Sequence, residues 1–164
     1  MDVRLLGINH HTAPIELRER LALDGPGVSG LLRDLGAQPP VAEAVLLATC
    51  NRTELYVATA EPASADAAMR RVFERLAADR RPLVDEHAYA RAGADAARHL
   101  LRVAAGLDSM ILGEHQILGQ VREAQSRARD AESLGPLTHR LWSTALHAGK
   151  RARAETDIGM GAVS

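Results

Sequence analysis

A single thiol lies among polar residues in the tetrapeptide Thr-Cys-Asn-Arg at positions 49–52. Cys50 is the only cysteine of the chain, and it follows a continuous apolar run at 44–48. The thiolate is the nucleophilic form of cysteine, and a nearby cation such as Arg52 favours it. Cys50 is therefore a candidate nucleophile for attack on an activated acyl group. The alternative is a small packing residue at a strand end, because free cysteines are commonly buried and inert.

Histidines supply two further candidates. His10 and His11 follow the first apolar run, but a zinc site would need more ligands, and one cysteine cannot supply a cysteine cluster. A solvated loop or a contribution to the rim of an active site are the other interpretations. His99 borders the apolar stripe of a predicted helix. It fits either a half-buried structural histidine or a general acid–base with a partner in reach.

A polar cluster occurs between positions 109 and 120, comprising Ser109, Glu114, Gln116 and Gln120. The two glutamines are four residues apart, so they share one helix face. Amide groups beside a carboxylate and a hydroxyl could hold the ammonium and carboxyl groups of an amino acid. A solvated helix face is the alternative. The basic run at 150–153 could complement a helix dipole or contact phosphate, although such runs are usually solvated.

Short strands and helices must position these residues. Apolar or alternating runs predict strands at 3–8, 44–48 and 54–60, with a weak strand at 87–90. Helical spacing predicts helices at 15–23, 28–35, 63–78, 95–105, 114–132 and 137–155. We expect residues 24–27 to close the first helix, Gly36 to cap the second, and Asp95 and Gly106 to cap the fourth. The order predicts an α+β domain with a mostly antiparallel sheet of about four strands, βαββαβ-like, covered by helices and ending in a long helix.

Composition limits the classes of function. The chain has 164 residues, 20 basic and 21 acidic, with a formal net charge of −1 at pH 7. This balance argues against broad nucleic-acid binding and leaves room only for a local basic patch. A lone cysteine excludes a disulfide within the chain and favours a cytoplasmic location. We find no signal peptide and no apolar run near the ~20 residues of a membrane span, so no membrane partner is expected.

Long segments of the chain resemble one family, glutamyl-tRNA reductase, in the right order. The opening match is LGINH at 6–10 with TAP at 12–14 and Arg-Glu at 18–19. The match continues with ATCNRTELY at 48–56, HLLRVA at 99–104, GLDSMILGE at 106–114 and QILGQV at 116–121. It ends with Lys-Arg at 150–151, Glu-Thr at 155–156 and Ile-Gly at 158–159. The resemblance covers nearly the whole chain.

The resemblance implies a mechanism in which Cys50 attacks the ester carbonyl of glutamyl-tRNA and forms a glutamyl thioester. Hydride from NADPH then gives glutamate-1-semialdehyde, the first step of five-carbon tetrapyrrole biosynthesis. His99 is implied as a second catalytic residue. The implied substrate-binding residues are Thr49, Asn51, Arg52, Ser109, Glu114, His115, Gln116 and Gln120. Arg52 is the expected partner of the substrate carboxylate. His115 stands where we expect proline in many relatives, which bears on loop geometry.

The resemblance also implies a division of labour along a longer protein. Residues 1–164 correspond to the catalytic domain, with 137–155 as the start of an interdomain helix. The sequence shows no strand followed by a glycine-rich phosphate loop, so we expect NADPH to be bound by a domain absent from this chain. We expect residues 156–164 to form a loop rich in small residues that precedes another domain.

The resemblance implies several partners: glutamyl-tRNA, a second copy in a homodimer, and the next enzyme of the pathway for handover of the product. Two alternatives rest on the same residues. One is a cysteine-dependent acyl hydrolase or transferase that acts on an aminoacyl ester without redox chemistry. The other is a non-enzymatic binding domain, for which replacement of Cys50 by serine would leave function intact.

Overall fold

A computed structural model describes residues 1–78 and 81–159. The strands in this part of the chain are β1 (Asp2–Asn9), β2 (Glu43–Ala48), β3 (Arg52–Thr59) and β4 (Tyr89–Ala92). The helices are α1 (Ile15–Arg20), α2 (Gly25–Gly36), α3 (Pro62–Leu76), α4 (Arg81–His87), α5 (Gly93–Ala104), α6 (Gln116–Asp130) and α7 (Pro136–Glu155). A short 3-10 helix, Asp157–Gly159, follows α7.

The four strands form one sheet in the order β2-β3-β1-β4, and all neighbouring strands are antiparallel. β3 lies between β1 and β2, and β1 lies between β3 and β4, which is the split βαβ arrangement of a βαββαβ chain. Every residue of β3 is buried, and in β2 only Ala48 is partly exposed. The predicted α+β fold, with a strand at 44–48 buried on both faces, is therefore confirmed.

Helices cover both faces of the sheet because side chains alternate along each strand. On one face, the ring of Tyr56 in β3 contacts Trp142 of α7 edge to face, with ring centroids 4.9 Å apart. On the other face, Thr53 of the same strand donates its hydroxyl to the carbonyl of Leu21, 3.4 Å away, just beyond α1. β3 thus presents alternate residues to α7 and to the region of α1. The core consists mainly of aliphatic side chains from these layers.

The long final helix is attached to the sheet at its N-terminus. Glu43 of β2 accepts hydrogen bonds at 3.1 Å from the backbone N–H of Leu137, and at 2.6 and 2.7 Å from the N–H and hydroxyl of Thr138. A carboxylate at this position satisfies N–H groups that have no partner within the helix and complements its dipole. A Cβ at Gly135 would lie 2.3 Å from Glu43 Cδ, so glycine allows this close approach.

Several element boundaries differ from those predicted. Asp24 does not close α1; its carboxylate accepts the backbone N–H of Gly27 at 2.8 Å and caps the start of α2. Gly36 is the last residue of α2, and Ala37 is the C-cap. Asp95 lies in the first turn of α5, whose N-cap is the extended Ala92. These residues are common both at caps and in adjacent turns, so sequence places them only to within a few residues.

Other differences concern whole elements. α4 was not predicted, because it is short, and His87, assigned to a strand, is its last residue. α6 begins at Gln116 rather than 114, since the loop 106–115 extends up to that residue. Asp157–Gly159 form a 3-10 helix where a loop was expected, and positions 160–164 of that segment lie outside the described residues. Within the described ranges, no helix combines the length and apolar character needed to cross a membrane.

Candidate active site

The turn between β2 and β3 carries Cys50 at its exposed apex. The hydroxyl of Thr49 accepts the backbone N–H groups of Asn51 and Arg52 at 3.1 and 3.2 Å. The N–H of Thr49 in turn donates to the carbonyl of Arg52 at 2.8 Å. Such a threonine turn fixes the backbone locally. Thr49 therefore shapes the turn that presents the thiol, and Cys50 is not a buried packing residue.

Arg18 of α1 holds this turn from the side. Its Nη1 donates to the carbonyl of Cys50 at 2.8 Å and to the side-chain oxygen of Asn51 at 3.3 Å, and its Nε donates to the carbonyl of Ala13 at 3.3 Å. The backbone N–H of His10 donates to the carbonyl of Asn51 at 2.9 Å. The loop after β1 and the start of α1 thus position the thiol. Sequence spacing gave no sign of this contact, because Arg18 lies 32 residues before Cys50.

Glu54 is a buried carboxylate on which four side chains converge. Its Oε1 is 2.8 Å from Arg52 Nη1, 2.8 Å from His99 Nε2 and 2.5 Å from the hydroxyl of Tyr89. Its Oε2 accepts the hydroxyl of Tyr56 at 2.7 Å. Since an ionised carboxylate only accepts, His99 carries its proton on Nε2 in this contact. The structure thus joins two predicted site residues, Arg52 and His99, through a residue that the sequence analysis did not select.

These contacts determine the charge states of Glu54, Arg52 and Tyr89. Burial raises the pKa of Glu54, but the hydrogen bond from His99 and the charge of Arg52 outweigh burial and lower the pKa to about 2. Burial lowers the pKa of Arg52, but the charge of Glu54 outweighs it, so the pKa of Arg52 is raised overall. Burial and the charge of Glu54 both raise the pKa of Tyr89. At neutral pH the network contains an anionic glutamate, a cationic arginine and a neutral tyrosine.

Arg52 also connects the Cys50 turn to the loop after α5. Its Nη1 donates to Asp108 Oδ2 at 2.9 Å, and its Nη2 donates to the backbone carbonyl of Asp108. The side chain of Arg52 is only 1% exposed, and its guanidinium is already paired with two carboxylates, those of Glu54 and Asp108. A substrate carboxylate on Arg52 would share these donors with Asp108, which is partly exposed. The role of Arg52 toward substrate stays a prediction.

His10 lies beside this network as a shielded imidazole. Neither of its ring nitrogens has a hydrogen-bond partner among the described residues, and both are buried. Its ring centroid is 3.9 Å from that of His11. Burial lowers the pKa of His10, and the charges of His11 and Arg52 lower it further. His10 is therefore neutral at pH 7 and belongs to the inner side of the site.

The segment 106–115 is a loop closed by two glycines. Gly106 has φ +78°, and its carbonyl accepts the N–H of Gly113 at 3.0 Å. The carbonyl of Glu114 accepts Arg153 Nη2 of α7 at 2.8 Å. Among the described residues, no hydrogen bond joins residues 49–52 to the side chains of Ser109, Glu114, His115, Gln116 or Gln120. Asp108, next to Ser109, makes the connection through Arg52.

An open, polar cleft of about 310 Å³ lies beside the network. Its lining residues come from β4, α5 and the following loop: Arg91, Asp95, Arg98, His99, Arg102 and Asp108. His99 and Asp108 therefore contact both the buried network and the cleft. The cleft extends along α5, and its Asp108 end is joined through Arg52 to the turn that carries Cys50.

The described residues do not fit a dinucleotide cofactor. A dinucleotide fold places a glycine-rich turn between a parallel strand and a helix N-terminus. Here the sheet is antiparallel, and the connection from β1 to α1, residues 10–14, contains no glycine. Within residues 1–78 and 81–159, His, Cys, Asp and Glu side chains also do not group in threes that could hold a metal ion.

Comparison with known proteins places the chain in a family. Residues 6–156 match the family model described as the N-terminal domain of glutamyl-tRNAGlu reductase. The chain is 48% identical over 164 residues to glutamyl-tRNA reductase of Stenotrophomonas maltophilia, of which it covers 36%. It is 43% identical to that of Syntrophotalea carbinolica, of which it covers 37%. Both alignments include the whole of this chain.

The solved structure of glutamyl-tRNA reductase from Methanopyrus kandleri superimposes with a TM-score of 0.78 at 33% identity. The superposition covers 99% of this chain and 37% of the Methanopyrus kandleri chain. The chain thus spans little more than a third of the length of the relatives it matches. Because the family model, the relatives and the fold agree, the chain belongs to the glutamyl-tRNA reductase N-terminal domain family.

Proposed function

We propose that this chain carries out the acyl-transfer half of glutamyl-tRNA reduction, with Cys50 as the nucleophile. The observation that carries the proposal is the exposed thiol at the apex of a turn held by Arg18 and Thr49. A thiol used only for packing has no need of exposure or of a guanidinium on its own carbonyl. The names of the relatives supply the substrate, glutamyl-tRNA.

In the proposed step, the thiolate sulfur of Cys50 attacks the acyl carbon of the ester that joins glutamate to the terminal ribose. A carbon–sulfur bond forms, the carbon–oxygen bond breaks, and the ribose oxygen leaves with a proton. Asn51 accepts Arg18 through its side-chain oxygen, which orients its amide N–H groups for donation. An amide donor aimed at the acyl oxygen would stabilise the charge that develops there.

His99 is the proposed source of the proton for the departing ribose oxygen. Its Nε2–H is held by Glu54 at 2.8 Å, and the residue lines the open cleft. The proton given to the ribose oxygen is therefore the one on Nδ1 of the imidazolium form, and the neutral ring that remains keeps its proton on Nε2. No hydrogen bond joins His99 to the sulfur of Cys50 within the described part of the chain. His99 is therefore better suited to donate a proton to the leaving oxygen than to act as a base for the thiol.

The remaining predicted residues are proposed to contact the glutamyl group. They are Arg52, Ser109, Glu114, His115, Gln116 and Gln120, whereas the predicted contact of Thr49 is replaced by a role in the turn. Asp108, in the same loop as Ser109, accepts a hydrogen bond from Arg52 Nη1 at its Oδ2, 2.9 Å away. This contact supports a pocket shared by the Cys50 turn and the loop. Thr49 acts through the backbone, because its hydroxyl is engaged by the N–H groups of Asn51 and Arg52.

The reduction that completes the family's reaction requires NADPH, and we assign the nucleotide to parts of the relatives that this chain does not match. In this proposal α7 begins the link to those parts. The homodimer, the handover to a following enzyme and the cytoplasmic location likewise belong to the proposal for the longer protein. The chain's own contribution is to bind the glutamyl ester and to carry the acyl group as a thioester.

The test is to incubate the chain with glutamyl-tRNA, with and without NADPH, and to follow Cys50 by mass spectrometry. We expect a glutamyl adduct on Cys50 and no semialdehyde. Cys50→Ser is the control, and should give no acid-stable, hydroxylamine-sensitive thioester. Semialdehyde formation would contradict the assignment of NADPH to other parts. Steady release of glutamate without NADPH would favour the acyl hydrolase, and folded protein without an adduct would favour the binding domain.

A further inference from the structure

Three arginines surround the open cleft beside His99. Arg98 and Arg102 are one turn apart on α5, and Arg91 comes from the adjacent strand β4. All three side chains are exposed. We call this group the arginine cleft, and nothing in the acyl-transfer step uses it.

The charges in the arginine cleft do not cancel. Arg98 Nη1 is 2.5 Å from Asp95 Oδ1, so these two form an exposed ion pair. Asp108 is engaged by Arg52. Among the described residues, neither Arg102 nor Arg91 has a side-chain hydrogen bond or an ion pair. The guanidinium of Arg91 lies over the ring of Tyr89, 5.7 Å from its centroid. Two guanidinium groups are therefore uncompensated within one polar cleft, in a chain whose net charge is −1.

We propose that the arginine cleft binds backbone phosphates at the 3′ end of the tRNA substrate. This inference rests on the proposed function, because it needs an aminoacyl ester to be presented to Cys50. Guanidinium groups match phosphate oxygens in charge and geometry, and phosphate contacts position a nucleic acid without reading its sequence. Arg98 and Arg102 are four apart on a helix, so they can meet the same stretch of backbone.

The location of the arginine cleft fits the path that the RNA must take. The reacting ester is at the last ribose, so the phosphates just before it must lie close to the thiol. His99 forms one wall of the cleft and is the proposed proton donor to that ribose oxygen. Asp108 forms another wall and connects through Arg52 to the Cys50 turn. If the single-stranded 3′ end of the tRNA lies along α5, its terminal ribose is brought toward His99.

The experiment measures binding of deacylated tRNA to the Cys50→Ser chain and to the same chain carrying Arg91→Ala, Arg102→Ala or both. Binding is followed at several salt concentrations by fluorescence anisotropy of labelled tRNA. Each substitution should weaken binding by roughly three- to tenfold. Each should also reduce the slope of log K against log salt by about 0.7–1, as expected for one lost phosphate contact. Arg33→Ala, an exposed arginine of α2 that does not line the cleft, is the matched control and should change neither.

A second readout separates RNA phosphate from the carboxylate of the glutamyl group. With Cys50 present, acylation by the α-benzyl thioester of glutamate is compared between the unsubstituted and double-arginine chains. If the double substitution impairs this small substrate as much as glutamyl-tRNA, the arginines bind the glutamyl carboxylate and the proposal is wrong. Unchanged tRNA affinity and salt slope would equally overturn it.

The two proposals fail in different ways. Binding is measured on a chain without the thiol, so it does not depend on acylation. Loss of salt-dependent tRNA binding in the arginine variants, without acylation of Cys50 in the parent, would support the arginine cleft and overturn the proposed function. Acylation by glutamyl-tRNA that is insensitive to both arginines would do the reverse.

Discussion

At the scale of single residues, Glu54 determines the arrangement of the candidate site. One buried carboxylate accepts from an arginine, a histidine and two tyrosines, and each donor comes with a fixed direction. Gly7 of β1 leaves the space for it, since a Cβ there would lie 2.8 Å from Glu54 Cγ. Removing one partner of such a network leaves the others buried without partners, which costs more than one hydrogen bond.

The first prediction concerns Glu54→Gln and pH. The pKa of Glu54 is lowered from the ordinary 4.5 of a glutamate to about 2 in the folded chain, so the folded state binds fewer protons. The stability that Glu54 contributes is complete above pH 4.5 and is lost as pH falls toward about 2. Glu54→Gln should lower stability at pH 7 and flatten its decline in this acid window, measured by urea unfolding at each pH. An equally steep decline in the variant would contradict the assignment.

The second prediction concerns Arg18, whose guanidinium bridges the Cys50 carbonyl, Asn51 and Ala13. Arg18→Lys keeps the charge, but a single ammonium cannot reproduce the three contacts. We expect acylation of Cys50 by the small substrate, the α-benzyl thioester of glutamate, to slow by about tenfold, because the turn loses the contacts that hold it from the side. Arg20→Lys, an exposed neighbour on the same helix, should leave the rate unchanged. Equal rates for both variants would show that Arg18 acts only through its charge or not at all.

Among residues, sequence predicted Cys50 as a candidate nucleophile, and that role stays a prediction; the contacts that hold its turn were not predicted. Cys50 stands out because a lone thiol follows an apolar run and precedes an arginine. Arg18 and Asp108 do not stand out, because they act across 32 and 56 positions of chain. In the sequence, Glu54 is simply one polar residue of a strand in which polar and apolar residues alternate. Its burial follows only once Tyr89 and His99 are folded against the same face of β3.

At the scale of elements, the loop 106–115 depends on a left-handed glycine. Gly106 has φ +78°, and a Cβ there would lie 2.9 Å from the Cα of Gly113. Both the backbone conformation and the space therefore require glycine. The loop carries Asp108 to Arg52, so its geometry reaches the Cys50 turn.

The third prediction is that Gly106→Ala destabilises the chain by about 1–3 kcal/mol, from backbone strain and the close contact with Gly113. It should also weaken acylation, because Asp108 loses its position. Gly119→Ala is the matched control: this glycine lies within α6, and a Cβ there meets nothing within 4 Å. Alanine at that helical position should stabilise the chain by about 0.5–1 kcal/mol. Thermal unfolding of both variants checks the opposite signs, and two shifts of the same sign would contradict the argument.

The elements themselves were largely predictable, and their ends were not. Apolar runs at 3–8 and 44–48 and helical spacing in the final 20-residue helix gave β1, β2 and α7 within one or two residues. Asp24 shows the limit: an aspartate before Gly-Pro fits the end of one helix and the start of the next. Only the hydrogen bond to Gly27 decides between them.

At the scale of the whole molecule, the order of elements indicated the sheet, and long-range pairs fixed its registration. A βαββαβ order with short strands admits few antiparallel arrangements, so the fold class followed from sequence. The attachment of α7 did not follow from it, because the carboxylate of Glu43 reaches N–H groups 94 and 95 positions away. Periodicity identifies a buried stripe on a helix, but it does not identify the strand that this stripe contacts.

The last prediction is that α7 unfolds together with the sheet. Trp142, the only tryptophan, is fully buried, donates its indole N–H to the carbonyl of Val121 at 3.2 Å and contacts Tyr56. Its fluorescence therefore reports on α7, whereas far-UV circular dichroism reports on all elements. If the chain is one cooperative unit, both signals should give the same urea midpoint.

Glu43→Ala removes the carboxylate that accepts the first N–H groups of α7 and should lower both midpoints together, by about 2–3 kcal/mol in unfolding free energy. Glu123→Ala, which breaks only the exposed pair with Arg127, should cost less than about 0.5 kcal/mol. A tryptophan transition that precedes the loss of circular dichroism in the Glu43 variant would show that α7 is a separate unit docked on the sheet. In that case the carboxylate of Glu43 would hold the helix in place without being part of the core's cooperativity.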